Sequence, residues 1–321
     1  MNHKQLTIND RSCIANYRAE GLKLSRIATL LGKDKSTISR ELRRNSVGGK
    51  YNPVKAQDRS KERKRRCGRK RKIVVGNELY SAIVSRLELD WSPEQIVNTQ
   101  RRKVSVCTIY RAFHNKTLTP YVKHFRILTY NSGWKKGKKR GDTFSGCRKI
   151  AERPKEVFKR KEFGHWELDT LAFCRKEQKT VAVFVERKTG DVETVLLNDR
   201  KAETMKTAIV STFSKYPASA RKTLTVDRGK EFEFWREAEA ELKGTLIYFC
   251  DPQSPYQKGC VENLNGLLRQ YYPKGRKVYT MAPTPDALSA VRARLNDRPR
   301  KRLNYKTPNQ LFTEELKNCC I

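Results

Sequence analysis

From Phe163 onward the apolar residues switch between a period of two and a period of 3.6, in an order that few folds accept. Residues 164–173, 180–186 and 191–197 alternate as strands, and Lys188, Thr189 and Gly190 supply a hairpin turn between the last two. Helical spacing follows over 202–213, then a short apolar strand over 223–227 that ends on Asp227. A helix over 234–242, a fifth strand over 244–250 and a final helix carrying Glu262 complete the series. Three strands, helix, strand, helix, strand, helix describes an α/β layer rather than a bundle or a sandwich.

The final helix lies within Ser254–Tyr272, started by a Pro-containing turn and stopped by Pro273 and Gly275. Val261, Leu264, Leu268 and Tyr271 make one apolar stripe on it. Lys258, Glu262, Asn265 and Arg269 make a second, polar stripe. A solvated helix face could produce the same pattern, so the stripe gains weight only because two strands upstream each offer an aspartate.

The element order is that of a ribonuclease-H-like five-stranded mixed sheet with helices, in which the first strand lies beside the fourth. Asp169 then projects from the first strand, Asp227 sits where the fourth ends, and Glu262 approaches from the helix packed across them. Three carboxylates in a partly dry site repel one another strongly, and their coexistence calls for divalent cations. Oxygen-only ligation favours Mg²⁺ or Mn²⁺ over zinc. Two such ions, about 4 Å apart, would serve an in-line attack on a phosphodiester. Glu167 and Glu186 are read as solvated or paired acids rather than ligands, and His165 as a packing or DNA-contact residue. Trp166 and Trp235 are read as core.

Charge names the partner. Lys and Arg number 70 against 34 acids, a net charge of +36. Such an excess repels itself unless a polyanion neutralises it, which points to nucleic acid. A membrane surface would want basic residues on an amphipathic helix, and they do not lie that way. With no apolar run near 18 residues and no apolar signal core after Met1, the protein is expected to be soluble and intracellular. Its 9 cysteines form no Cys-x2-Cys pair and are read as reduced thiols.

The N-terminal third is expected to be all-α. Residues 1–48 read as a helix-turn-helix domain with Ser25 and Ser36 as helix caps and Gly32 at the turn. Its recognition helix would present Ser36, Thr37, Ser39, Arg40 and Arg43 to a DNA major groove. Residues 49–75 are read as a basic linker with no core, since Lys or Arg fills 11 of the 18 positions from Lys55 to Lys72. A second helix-turn-helix-like unit follows over 76–116. Ser92, Pro93 and Gln95 mark one helix start there, Ser105 marks another, and Thr108 and Arg111 lie exposed. Residues 117–158, including the run from Lys135 to Gly141, form a basic connector; 159–280 form the core; 281–321 form a basic helical tail. In that tail Arg298, Arg300, Lys301 and Arg302 are read as a phosphate patch or as a lid on the sheet edge. The residues alone leave open a DNA-binding regulator whose core only assembles oligomers, and an RNA-processing nuclease.

A resemblance narrows the choice. Asp169, 57 intervening residues, Asp227, 34 more, Glu262, and Arg269 seven beyond resemble the pattern of DDE transposases and retroviral-type integrases. Ser254–Asn263 resembles their Pro-Tyr and Glu-Asn stretch, and the two helix-turn-helix units, Trp91–Ile96, His165–Asp169 and Asn263–Lys274 resemble the insertion sequence thirty family in particular. That resemblance implies a multidomain DDE transposase with Asp169, Asp227 and Glu262 as catalytic metal ligands. It implies further that Arg269 contacts transposon-end DNA, with Lys258 and Asn265 beside it on the DNA-facing stripe. Both helix-turn-helix units would hold the terminal inverted repeats of double-stranded DNA. The chain would cleave and join DNA ends as a homo-oligomer in the bacterial cytoplasm, at the nucleoid.

Overall fold

The computed structural model describes residues 5–67, 70–99, 104–124, 144, 146–173, 177–252, 254–273 and 281–319. The Lys135–Gly141 run, Lys274 and Gly275 lie outside the described residues. The chain forms two compact units, residues 1–71 and 72–321.

The first unit holds four helices: α1 (Ile8–Ala19), α2 (Leu24–Leu30), α3 (Lys35–Asn45) and α4 (Pro53–Arg66). Ile14, Ile27, Ala28 and Ile38 make its core, and Gly32 turns between α2 and α3 at φ +56°. Two expected caps move. The residue before α2 is Lys23, which offers no side-chain cap, and α3 is capped by Asp34, whose carboxylate accepts the Ser36 N–H at 2.7 Å.

The basic stretch expected to be a coreless linker is instead largely α4, started by Asn52 and Pro53. Lys, Arg, Gln and Glu are good helix formers, and one small residue suffices to seat the helix: Ala56 is wholly buried. Polar bonds do the rest. Arg11 Nη1 donates to Gln57 Oε1 at 2.5 Å, Arg59 to the Asn45 carbonyl at 3.2 Å, and Arg63 to Asn45 Oδ1 at 3.0 Å. Beneath them the buried Arg11 guanidinium meets Glu41 at 2.7 Å, and Tyr51 donates to the same carboxylate at 3.1 Å.

The second unit begins with α5 (Glu78–Leu87), α6 (Pro93–Thr99) and α7 (Val106–His114), packed on Ile83, Leu87, Ile96 and Ile109. The expected capping box forms: Ser92 N–H donates to Gln95 Oε1 at 2.7 Å and Gln95 N–H to Ser92 Oγ at 3.3 Å.

A five-stranded sheet follows: β1 (His165–Ala172), β2 (Thr180–Glu186), β3 (Val192–Leu197), β4 (Thr223–Val226) and β5 (Leu246–Phe249). The order is β3-β2-β1-β4-β5; β1 is antiparallel to β2 and parallel to β4. This is the expected mixed ribonuclease-H-like sheet. Between strands run α8 (Ala202–Phe213) and α9 (Trp235–Leu242). They cover one face, on which Trp166, Leu168, Phe184 and Leu224 are buried. The chain ends with α10 (Gly259–Tyr271), α11 (Pro285–Asn296) and α12 (Pro308–Cys319). On the other face Val181, Val183 and Leu171 pack with Val261, Leu264 and Leu268 of α10. Asn296 at the end of α11 bonds both the N–H and the carbonyl of Val192, each at 3.0 Å, and so closes the free edge of β3.

The C-terminal cations bond within the protein, the contacts expected of a lid on the sheet edge. Arg302 donates to the Lys188 carbonyl at 3.0 Å, and Lys301 pairs with Glu94 at 2.8 Å. Arg298 Nη2 lies 2.9 Å from Tyr271 Oη and 3.8 Å from Asp90. Asp90 also accepts from Tyr271 Oη at 2.6 Å and faces Arg294 at 3.5 Å. Together with the Gln95 bond to the Pro299 carbonyl at 2.6 Å, these contacts dock α5–α7 on the tail and on α10. Among the described residues, no helix is long and apolar enough to cross a membrane.

Removing one partner of a buried ion pair leaves an uncompensated charge, so Glu41→Ala should destabilise the first unit by about 3 kcal/mol. Denaturant unfolding followed by hydrogen exchange in α1 and α4 measures it. No change in α4 protection would show that the helix is seated some other way.

Candidate active site

Strand pairing builds the site. Glu167 on β1 stands opposite Thr225 on β4 in parallel register, so two residues further along Asp169 and Asp227 come level. Period two also sets Glu167 and Asp169 on the α10 face of β1, while Trp166 and Leu168 enter the opposite core. Asp227 follows the last residue of β4 and accepts the Gly229 N–H at 3.0 Å, which fixes its carboxylate in the turn.

The two aspartates converge on one atom. Lys258 Nζ lies 3.2 Å from Asp169 Oδ1 and 3.0 Å from Asp227 Oδ2, and donates to the Leu168 carbonyl at 3.3 Å. Lys258 is only 6% exposed. Burial works against its charge, but the two carboxylates outweigh burial and hold its pKa above the ordinary lysine value. The aspartates stay open to solvent on their other side, at 28% and 46% side-chain exposure.

The polar stripe of α10 divides. Asn265 Nδ2 donates to Asp169 Oδ2 at 2.8 Å, while its own Oδ1 is buried without a hydrogen-bond partner. Arg269 donates to the Ala172 carbonyl at 2.9 Å and to that of Tyr272 at 3.3 Å. Lys258, Asn265 and Arg269 thus each bond within the protein, so the stripe expected to face DNA is tied to the strand carrying Asp169. The cause is local: α10 starts at Gly259, and Lys258 precedes it at φ −112° and ψ 40°, off the helical period. Glu262 is in the first turn and exposed. Among the described residues no three acids, cysteines or histidines stand close enough together to hold an ion. The structure thus joins Asp169 with Asp227 and leaves Glu262 apart from them.

Glu167 is a paired acid, one of the two readings expected of it, and it has a further task. It is wholly buried; one oxygen pairs with Arg187, and the other accepts the N–H groups of Cys260 and Val261 at 2.9 and 3.0 Å. A carboxylate at a helix N-terminus meets both unpaired amides and the positive end of the dipole. Glu167 thereby ties the first turn of α10, which carries Glu262, to the strand that carries Asp169.

Glu231 was not visible from the sequence. Burial raises its pKa, and the charges of Asp227 and Asp169 add to the rise while Lys258 opposes it. Thr170 donates to it at 3.5 Å, and a side chain at Gly229 would strike its carboxylate at 2.4 Å. The only signal was an acid four residues after Asp227, in a turn where acids are ordinary. His165 is held in packing by Thr223 at 2.8 Å and Glu162 at 3.0 Å.

In the upstream units Ser36, Ser39, Arg40, Arg43 and Arg111 are exposed, and Thr37 and Thr108 are half-buried. Arg40 folds back on Ser36 Oγ at 2.6 Å, and Thr108 Oγ1 is 2.9 Å from Ser105 Oγ.

Glu167→Ala should cost about 3 kcal/mol of stability, because Arg187 is left buried and unpaired. It should also speed hydrogen exchange at the Cys260 and Val261 amides ahead of the rest of α10. Uniform protection along the helix would rule out the anchoring role.

Residues 2–45 match a family profile described as a helix-turn-helix domain. The chain is 32% identical to the transposase InsI for insertion sequence element IS30A of Escherichia coli K12, over 96% of this chain and 83% of that protein. It is 33% identical to the transposase for insertion sequence element IS1086 of Cupriavidus metallidurans, over 98% of this chain and 96% of that one. The catalytic core domain of BIV integrase aligns with 49% of this chain and 99% of its own length, at 22% identity and a TM-score of 0.37. With that identity sustained along almost its whole length, the chain belongs to the IS30 family of insertion-sequence transposases.

Proposed function

We propose that the chain binds the terminal inverted repeats of its insertion sequence and cleaves and joins DNA strands there, with Asp169, Asp227 and Glu262 as the catalytic acids. The observation that carries this reading is the convergence of Asp169 and Asp227 on one cationic atom at the solvent edge of the sheet. Two carboxylates at that spacing form a cation site by their own repulsion. Their oxygen-only chemistry, with the unpartnered Asn265 Oδ1 beside them, fits a hard divalent ion such as Mg²⁺ or Mn²⁺. Bound there, a pair of such ions would supply an activated water or 3′-hydroxyl and a stabilised leaving oxygen.

The protein supplies placement. β1 and β4 hold the two aspartates level, the Gly229 N–H orients Asp227, and the Asn265 amide orients Asp169. Glu262 belongs to the turn pinned by Glu167, which ties it to the strand that carries Asp169. Ser36, Thr37, Ser39, Arg40 and Arg43 on α3, with Thr108 and Arg111 on α7, would read and grip the repeat. The net charge of +36 favours a long DNA footprint. Two DNA ends must meet for joining, so the working form is a homo-oligomer acting on the bacterial chromosome in the cytoplasm.

Labelled terminal-repeat DNA with Mg²⁺ tests the assignment. Asp227→Asn and Glu262→Gln should each lower strand cleavage by about 10³-fold or more, since a catalytic ion contributes several kcal/mol. Cleavage equal to that of the unaltered chain would reject it. Arg43→Ala should weaken repeat binding and lower the salt slope of log K by about 1. An unchanged slope in a salt titration would remove Arg43 from the interface.

A further inference from the structure

Lys258 is held as an ion would be held. An ammonium has three N–H donors, and here each has an acceptor: Leu168 O at 3.3 Å, Asp169 Oδ1 at 3.2 Å and Asp227 Oδ2 at 3.0 Å. It is the cation the structure pairs with both aspartates, and it sits on the buried side of them. Without it, two carboxylates brought level by the β1–β4 register would face each other with no positive charge between. A divalent ion binds carboxylate oxygens at about 2.1 Å and draws them inward. Oxygens gathered that closely leave no room for an ammonium between them, and a neighbouring positive charge opposes the incoming one. Lysine, a point charge on a flexible four-carbon stem, can leave by rotamer changes alone.

We propose that Lys258 is an internal counter-ion that keeps the Asp169–Asp227 pair assembled before metal arrives and is displaced when a divalent ion binds. This rests on the reading of that pair as the metal site. The two cations compete for one place, so Lys258 sets the metal concentration at which the site fills. Once displaced, the ammonium needs a new anionic partner, and a DNA phosphate at the mouth of the site is of the right charge. Metal and DNA then favour each other's binding through one side chain, without movement of the sheet.

Mn²⁺ binding to the full chain without DNA, followed by calorimetry or by the spin signal of free Mn²⁺, provides the test. Lys258→Gln should bind Mn²⁺ about tenfold more tightly or better, because a positive charge has gone. Lys258→Arg, which keeps the charge, should stay near the unaltered chain. Unchanged or weaker Mn²⁺ binding by folded Lys258→Gln would overturn the proposal. The same outcome with Asp169→Asn abolishing binding would leave the metal site standing. No effect of Asp169→Asn or Asp227→Asn would instead bring down the metal-site reading itself. A measurement on the unaltered chain guards against a variant that does not fold. Amine-reactive labelling, read by peptide mass spectrometry, should find Lys258 protected without metal and modified as Mn²⁺ is added, while exposed Lys61 reacts equally throughout. Lys258 still protected at saturating Mn²⁺ would refute displacement.

Discussion

Two carboxylates side by side repel, and the register of two parallel strands in this protein forces that closeness on Asp169 and Asp227. Much of the surrounding architecture answers the repulsion. The Gly229 N–H and the Asn265 amide each take one lobe of a carboxylate, and Lys258 lies between them. Glu231 comes close enough to feel both charges, and Gly229 is the residue whose missing side chain admits it. Keeping a buried ammonium among polar groups there costs solvation, which its bonds to both carboxylates offset.

The same economy governs the cations. Of 70 Lys and Arg residues, several near the core are turned inward: Arg187 to Glu167, Arg298 to Tyr271, Arg302 to backbone carbonyls. Formal charge therefore overstates what the core offers to a phosphate backbone. Arg43 and Arg44 on the recognition helix, and the last turn of α4 with Arg65 and Arg66, remain exposed. These exposed cations lie in the first unit, where the helix-turn-helix profile also falls.

How much of this could be read in the residues depended on period. Every strand and helix of the core is legible, because burial on one or two faces imprints a repeat that no loop imitates. Caps with two reciprocal partners, such as Ser92 with Gln95, are legible too, whereas Asp34 and Ser36 compete as caps two residues apart and only geometry chooses. Helix α4 escaped because a helix seated on a single alanine leaves no stripe. Lys258 is legible as a member of the polar stripe, but its bonds to both aspartates are not, because it stands one residue before α10, where 3.6-residue counting does not apply. Glu167 was seen as an acid on the correct face, but its partners, Arg187 and two backbone amides 93 and 94 residues away, are a property of topology.

Asp90, at the end of the turn after α5, is bonded to Tyr271 in the last turn of α10 and faces Arg294 and Arg298 of the tail. That joint makes α5–α7 and α10 parts of one solid body. The contact between these helices and the helix bearing Glu262 is made by side chains. Any displacement of α5 must therefore break the Asp90–Tyr271 bond or load the far end of the helix on which Glu262 stands.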